Sequence, residues 1–219
     1  MIENGFYGFG NGGIVVDKFN DFDFMTIKKE VEEIKKDFNS AVNYGDNLIG
    51  QLKKSYSLSD SRNVIEKKML ALADKHDSEY NHLEVWRASF PKKQRDNLKV
   101  SLDSLWVNFQ ERYEFQPIHD HAGVFSFIIF YEIPYDIETE QASGPGNNAV
   151  ERMNGLLEFH YADYKGDLAT MSIPADKKWS KTCILFPAKL KHSVTPFYSS
   201  TDYRITISGN LAFEYATND

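Results

Sequence analysis

The sequence predicts a mainly β domain with N-terminal helices, a two-sheet β sandwich or jelly roll carrying the helices on its outside. Three observations lead there. The 219 residues are 42% hydrophobic and include 16 Phe, 12 Tyr and 3 Trp, which suits one packed core and excludes wholesale disorder. Helical periodicity is confined to residues 1–82. From Leu83 onward the apolar residues fall in short β-branched and aromatic segments punctuated by Gly, Pro and Asn. The expected organisation is a single domain over 1–219, with residues 1–82 as a helical support and 83–215 as the β core.

The elements follow in order. The first 24 residues are rich in Gly and Phe and hold a short β-like run at Ile14-Val15-Val16. Thr26 is the expected N-cap of a helix in which Ile27, Val31, Ile34 and Phe38 recur at steps of four, three and four. A second amphipathic helix is expected from Asp60 to Tyr80. Asp60 or Ser61 caps it, Ile65, Met69, Leu72 and Ala73 share one side, and Lys67, Lys68 and Lys75 face solvent. Strands are expected at 83–90, 101–110, 125–133, 156–162, 168–173, 182–186, 193–197 and 203–214. The stretch 140–148, containing Ser-Gly-Pro-Gly-Asn-Asn, reads as a mobile loop.

Charge and cysteine content narrow the classes. Lys plus Arg number 25 against 32 Asp plus Glu, a net charge of −7, so a phosphate backbone is repelled on average and nucleic acid is not expected as a partner. The one cysteine, Cys183, excludes an intramolecular disulfide framework and a Cys-based zinc site, and it reads as a core residue. Met1-Ile2-Glu3-Asn4-Gly5 lacks the basic and apolar regions of a secretory signal. The greasiest segment, 124–133, is too short for a bilayer span. The expectation is a reduced, cytoplasmic protein with no membrane partner.

Two histidines sit together in Pro117-Ile118-His119-Asp120-His121-Ala122-Gly123. On extended backbone residues i and i+2 project to one face, so His119 and His121 form a pair able to hold a divalent ion, or else a polar strand end. A third, His192, opens a strand after the Pro187 turn. Arg204 follows twelve residues later in Arg204-Ile205-Thr206-Ile207-Ser208-Gly209-Asn210. Alternation puts Arg204, Thr206, Ser208 and Asn210 on one face, which calls for a polar object beside it. A carboxylate held by the guanidinium fork fits, and an ion pair with a local acid such as Asp202 is the plainer alternative.

These residues resemble a family. The order His-x-His, then Phe-Pro-x-x-Leu-x-His-x-Val-x-Pro at 186–196, then Arg-x-Thr-x-Ser-x-Asn at 204–210 is similar to the Fe(II)/2-oxoglutarate-dependent oxygenases. It is nearest the prolyl-hydroxylase-like group common in bacteria and phages. Leu105-Trp106-Val107-Asn108-Phe109, 127–134 and Asn47-Leu48-Ile49-Gly50 add to the likeness, which spans about residues 45–213. The resemblance implies a double-stranded β-helix, cupin-like, whose open end holds Fe(II). 2-Oxoglutarate would chelate the iron, with its far carboxylate on Arg204 and Thr206. O2 would be consumed, with succinate and CO2 released and a C–H bond hydroxylated.

One position departs from the usual His-x-Asp/Glu pattern, because His121 stands where a carboxylate is common. Three readings follow. His119, His121 and His192 bind together as in some cupin-type dioxygenases. Asp120 ligates through a bulge. Or the histidine pattern with Gly123 leaves a coordination position open, as in halogenases of the wider superfamily. Asn108 is a candidate contact for substrate or cosubstrate, or part of a solvated face. Tyr131 is a candidate donor to 2-oxoglutarate, or a core residue. His160 reads as a strand surface residue, and His76 and His82 lie outside the motif.

The leading expectation is therefore a dioxygenase that hydroxylates a peptide or small molecule, with peptidyl proline as one candidate. A non-catalytic β-sandwich binding module and a cupin-type metal dioxygenase that does not use 2-oxoglutarate are the alternatives. A homodimer is an allowed assembly, and a phage-encoded version would work in the host cytoplasm.

Overall fold

The strand with Arg, Thr, Ser and Asn on one face and Ile on the other needs two different neighbours, and the fold supplies them. The computed structural model describes residues 3–9 and 12–215, so Met1, Ile2 and Gly10 of the N-terminal reading lie outside the described residues. In chain order the elements are β1 (Gly5–Phe9), β2 (Gly12–Lys18), α1 (Asp21–Lys36), β3 (Ser55–Ser57), α2 (Val64–Tyr80), α3 (His82–Arg87), α4 (Lys92–Arg95), β4 (Leu98–Gln110), β5 (Gln116–His119), β6 (Phe125–Glu132), α5 (Ile137–Gln141), β7 (Leu157–Ala162), β8 (Leu168–Ile173), β9 (Thr182–Pro187), β10 (Lys191–Val194) and β11 (Arg204–Tyr215). They build a seven-stranded sheet, β1-β2-β9-β6-β11-β4-β3, and a four-stranded sheet, β5-β10-β7-β8. All pairings are antiparallel. The jelly roll read from the strand pattern is the architecture found.

The large sheet is buried on both faces, which explains why β6 reads as an unbroken apolar run. One face carries Val107, Phe109, Phe127, Ile129, Tyr131, Ile205 and Ile207 against Phe24, Ile27 and Val31 of α1 and Ile65, Met69 and Leu72 of α2. The other carries Ile128, Phe130, Ile184 and Phe186 against Leu157, Phe159, Ile173 and Val194 of the small sheet. The functional residues lie between the two sheets. On the helix side of β11, Gly209 makes room for the Phe127 ring, since a Cβ there would stand 2.4 Å from it. Among the described residues no helix is long and apolar enough to cross a membrane.

Both long helices start where carboxamide or carboxylate oxygens meet free backbone N–H groups. In α1 the cap is Asn20, not Thr26: Asn20 Oδ1 accepts from the Asp23 N–H at 2.9 Å, and Phe24 extends the apolar stripe one turn earlier. Asp21 and Asp23 in the first turn and Lys35 and Lys36 in the last suit the helix dipole. For α2 the Asp60 carboxylate accepts from the N–H groups of Val64, Ile65 and Glu66, as its position implied.

Two strand expectations shift, and one strand was not expected. Residues 83–90 are not a strand: α3 forms because Leu83 and Trp86, three apart, pack on the core while Val85 is 68% exposed, so the alternation was accidental. The strand expected at 193–197 is Lys191–Val194, and Pro196, without an N–H, lies beyond its end. β5 is a four-residue strand that alternation does not reveal, because Pro117 and exposed Ile118 interrupt the pattern.

Candidate metal and cosubstrate site

His119 ends β5, His121 follows in the turn before β6, and His192 stands on β10 directly opposite His119 in the ladder. Their ring centroids are 4.2 Å (His119–His192), 5.0 Å (His119–His121) and 5.0 Å (His121–His192) apart. One ring nitrogen from each lies within 4.8 Å of the others. His121 Nε2 and His192 Nε2 are 3.2 Å apart. Two nitrogens bound to one ion at about 2.1 Å, with roughly 90–110° between them, stand about 3.0–3.4 Å apart, so the spacing suits a shared ion.

Their second nitrogens are set by the backbone. His119 Nδ1 donates to the Pro117 carbonyl at 2.7 Å and His192 Nδ1 to the Leu190 carbonyl at 3.0 Å. Both Nε2 atoms then present lone pairs to the centre. Burial pushes His192 down to about 3 and His121 to about 4, with the neighbouring histidines adding to the effect, and burial holds His119 below the ordinary range. At neutral pH these are three uncharged imidazoles, the form that binds iron.

Asp120 engages two lysines and not the histidine cluster. Its carboxylate lies 2.5 Å from Lys191 Nζ and 3.4 Å from Lys189 Nζ, and those ammoniums hold it below the usual carboxylate range. Gly123 has its own structural cause: φ is +91° and a Cβ would stand 2.6 Å from the Leu211 carbonyl oxygen, so the turn from His121 into β6 requires glycine.

Between the sheets lies a small cavity lined by Leu52, Asn108, Gln110, Gln116, Ile128, Phe130, Leu157, Val194, Arg204, Thr206 and Ser208. Arg204 is 2% exposed, and its Nε and Nη1 have no hydrogen-bond partner. Among the described residues no carboxylate pairs with it, Asp202 included. A permanently charged fork buried without an acceptor is costly, and a carboxylate entering the cavity would relieve it. β11 and β4 bring the polar face together in register, Arg204 opposite Gln110 and Thr206 opposite Asn108. Asn108 Oδ1 accepts from Ser55 Oγ at 2.7 Å, which fixes its amide. An outer cleft of about 240 Å³ adjoins this cavity, with Gln116 lining both. Tyr44, Asn47, Leu48, Ile49, Asp103, Trp106 and Asn210 wall it beside His119 and His121.

Tyr131 is a correction. Its side chain is on the opposite face of β6 from Ile128 and Phe130, its hydroxyl donates to Glu32 Oε1 at 2.6 Å, and its ring stacks on Phe24 at 5.5 Å. Alternation from Phe130, which lines the cavity, already puts Tyr131 outside. Ser208 lines the cavity from the face that alternation gave it, and Gln110 shares the Asn108 face; Gln116 and Leu52 were missed, Leu52 because it lies in an irregular segment that carries no such signal.

Residues 104–210 match the model of the family described as "Putative 2OG-Fe(II) oxygenase". That segment includes the three histidines and Arg204. Among solved structures, a Pseudomonas putida prolyl-4-hydroxylase aligns over 94% of this chain and 94% of its own, at 9% identity and a TM-score of 0.53. EvdMO1 aligns over 92% of this chain and 47% of its own, at 16% identity and a TM-score of 0.51. SnoN, described as a non-heme alpha-ketoglutarate-dependent epimerase from nogalamycin biosynthesis, aligns over 94% and 80%, at 12% identity and a TM-score of 0.50. At these identities the likeness is one of fold. No curated protein sequence matches the chain.

Proposed function

We propose that the chain is a 2OG-Fe(II) oxygenase, as the family match over residues 104–210 supports, using Fe(II), 2-oxoglutarate and O2 to hydroxylate a C–H bond of a peptide or small molecule. The observation that carries the reading is the convergence of three imidazoles, two of them lining the outer cleft, with a buried, unpartnered Arg204 in the adjoining cavity. A cupin-type dioxygenase without 2-oxoglutarate has no use for that guanidinium.

In this reading His119, His121 and His192 hold the iron, and Arg204 with Thr206 receives the far carboxylate of 2-oxoglutarate. The carbonyls of Pro117 and Leu190 keep the His119 and His192 rings in the tautomer that offers Nε2. Arg204 supplies donors that a planar carboxylate accepts in pairs. Asn108, held by Ser55, presents its amide to the cavity. The apolar walls, Ile128, Phe130, Leu157 and Val194, exclude water around the clamp and strengthen it. When bound, iron and 2-oxoglutarate supply the oxidising chemistry: R–H, 2-oxoglutarate and O2 become R–OH, succinate and CO2.

The outer cleft, open beside His119 and His121, is where the primary substrate enters. Peptidyl proline is the first substrate to test, since a structural neighbour is a prolyl-4-hydroxylase. The experiment follows succinate release from 2-oxoglutarate with Fe(II) and air, with and without proline-containing peptides. Iron- and oxygen-dependent succinate supports the reading, and stimulation by the peptides with hydroxyproline formed supports that substrate. No succinate from protein that binds both iron and 2-oxoglutarate contradicts the reading.

A further inference from the structure

Folded proteins leave few buried polar atoms without a hydrogen-bond partner, and each exception points to a ligand, an ion or a water. Among the described residues four side-chain atoms are in that state: His76 Nδ1, Trp106 Nε1, Arg204 Nε and Arg204 Nη1. His76 lies on the helix side of the large sheet against Phe125 and lines neither cavity. Arg204 has its carboxylate in the reading above. Trp106 has no partner yet, and it lines the cleft that holds His119 and His121.

Its position is specific. Trp106 is 2% exposed, Tyr44 lies flat on its indole at 4.9 Å and 9°, and its ring centroid is 5.8 Å from that of His121. In the ladder it stands opposite Ser208, four residues from Gln110, which faces Arg204. Four residues of strand span about 13 Å. One face of the β4–β11 pair therefore carries two unpaired donors, the Arg204 guanidinium where the ladder begins and, four residues along, the N–H of an indole whose ring borders His121. An indole nitrogen only donates and carries no charge. Its partner must be an acceptor, and no protein atom supplies one, so the acceptor is an oxygen of a ligand that enters the cleft.

We propose that Trp106 Nε1–H donates a hydrogen bond to a carboxylate or keto oxygen at the metal end of bound 2-oxoglutarate. The proposal rests on the cosubstrate reading above. It makes Trp106 and Arg204 two ends of one recognition device for a keto diacid: a charged fork for the free carboxylate and a neutral donor for the chelating end.

Trp106→Phe removes the N–H and keeps most of the ring. The test is calorimetric titration of 2-oxoglutarate into the anaerobic, Mn(II)-loaded protein, wild type and variant, with Mn(II) affinity and the melting temperature of the metal-free protein measured in parallel. Losing one hydrogen bond to a charged oxygen should weaken 2-oxoglutarate about tenfold or more. Mn(II) affinity should be unchanged, and the metal-free variant should melt no lower, because it no longer buries an unpaired donor. Equal 2-oxoglutarate affinity overturns the proposal, as does a weakening accompanied by a fall in melting temperature, which would make ring packing the cause. Wild-type protein that binds Mn(II) but not 2-oxoglutarate would overturn the cosubstrate reading, and this proposal with it.

Discussion

Arg204→Met separates binding from stability. In the free protein the guanidinium is 2% exposed with Nε and Nη1 unpartnered, so it contributes an uncompensated buried charge. Met fills similar volume without the charge, and its neighbours Ile128, Phe130, Leu157 and Val194 are apolar. The metal-free variant should therefore be at least as stable as wild type, with a gain of about 1–2 kcal/mol expected where a buried charge gives way to a packed apolar side chain. Binding should move the other way. Truncating one partner of a buried charge pair costs about 2–4 kcal/mol, roughly 30- to 1000-fold in 2-oxoglutarate affinity. Arg204→Lys should fall within the same range, because an ammonium cannot reproduce the fork. Urea denaturation of the metal-free protein and calorimetry of 2-oxoglutarate into the Mn(II)-loaded protein measure the two quantities. A less stable Arg204→Met protein, or one that binds 2-oxoglutarate like wild type, would refute the reasoning.

Other outcomes follow from the same geometry. His192→Ala should lose most Mn(II) affinity while Asp120→Ala keeps it, since Asp120 faces Lys189 and Lys191; the reverse pattern in a metal titration would favour the bulged carboxylate. Tyr131→Phe should cost about 1 kcal/mol through the lost bond to Glu32 and leave 2-oxoglutarate affinity unchanged, by urea melts and calorimetry. The metal-free protein should lose stability as pH falls from about 6.5 to 4. His76 and His121 are depressed to about 4 and His192 to about 3, so in this window the unfolded chain takes up protons that the folded one refuses. For His76 alone the drop from 6.5 to about 4 is worth about 3 kcal/mol. Urea midpoints that do not change from pH 7.5 to 4.5 would contradict this.

The parts legible from the sequence were those with a strict period. Alternation along 204–210 put Arg204 and Thr206 on the face that lines the inner cavity and sent Ile205 and Ile207 to the helices. Steps of three and four located both long helices, although the true cap of the first, Asn20, was hidden among polar residues that all suit a helix start. Residues 83–90 misled because Leu83 and Val85 alternate by chance, and only tertiary packing of Trp86 decides for a helix. For Tyr131 the core reading holds, because alternation from Phe130, which lines the cavity, puts its ring on the helix face beside Glu32. Trp106 gave no sequence signal as a donor, since an unsatisfied buried N–H exists only once the strands have closed around it.

The most direct measurement adds Fe(II) to the anaerobic protein with and without 2-oxoglutarate and records the visible spectrum. The account predicts a charge-transfer band only when both are present. His192→Ala should abolish the band, and Arg204→Met should require roughly 30- to 1000-fold more 2-oxoglutarate to reach it. A wild-type protein that shows no band at saturating Fe(II) and 2-oxoglutarate, or a band that His192→Ala leaves intact, would contradict the assignment of the site.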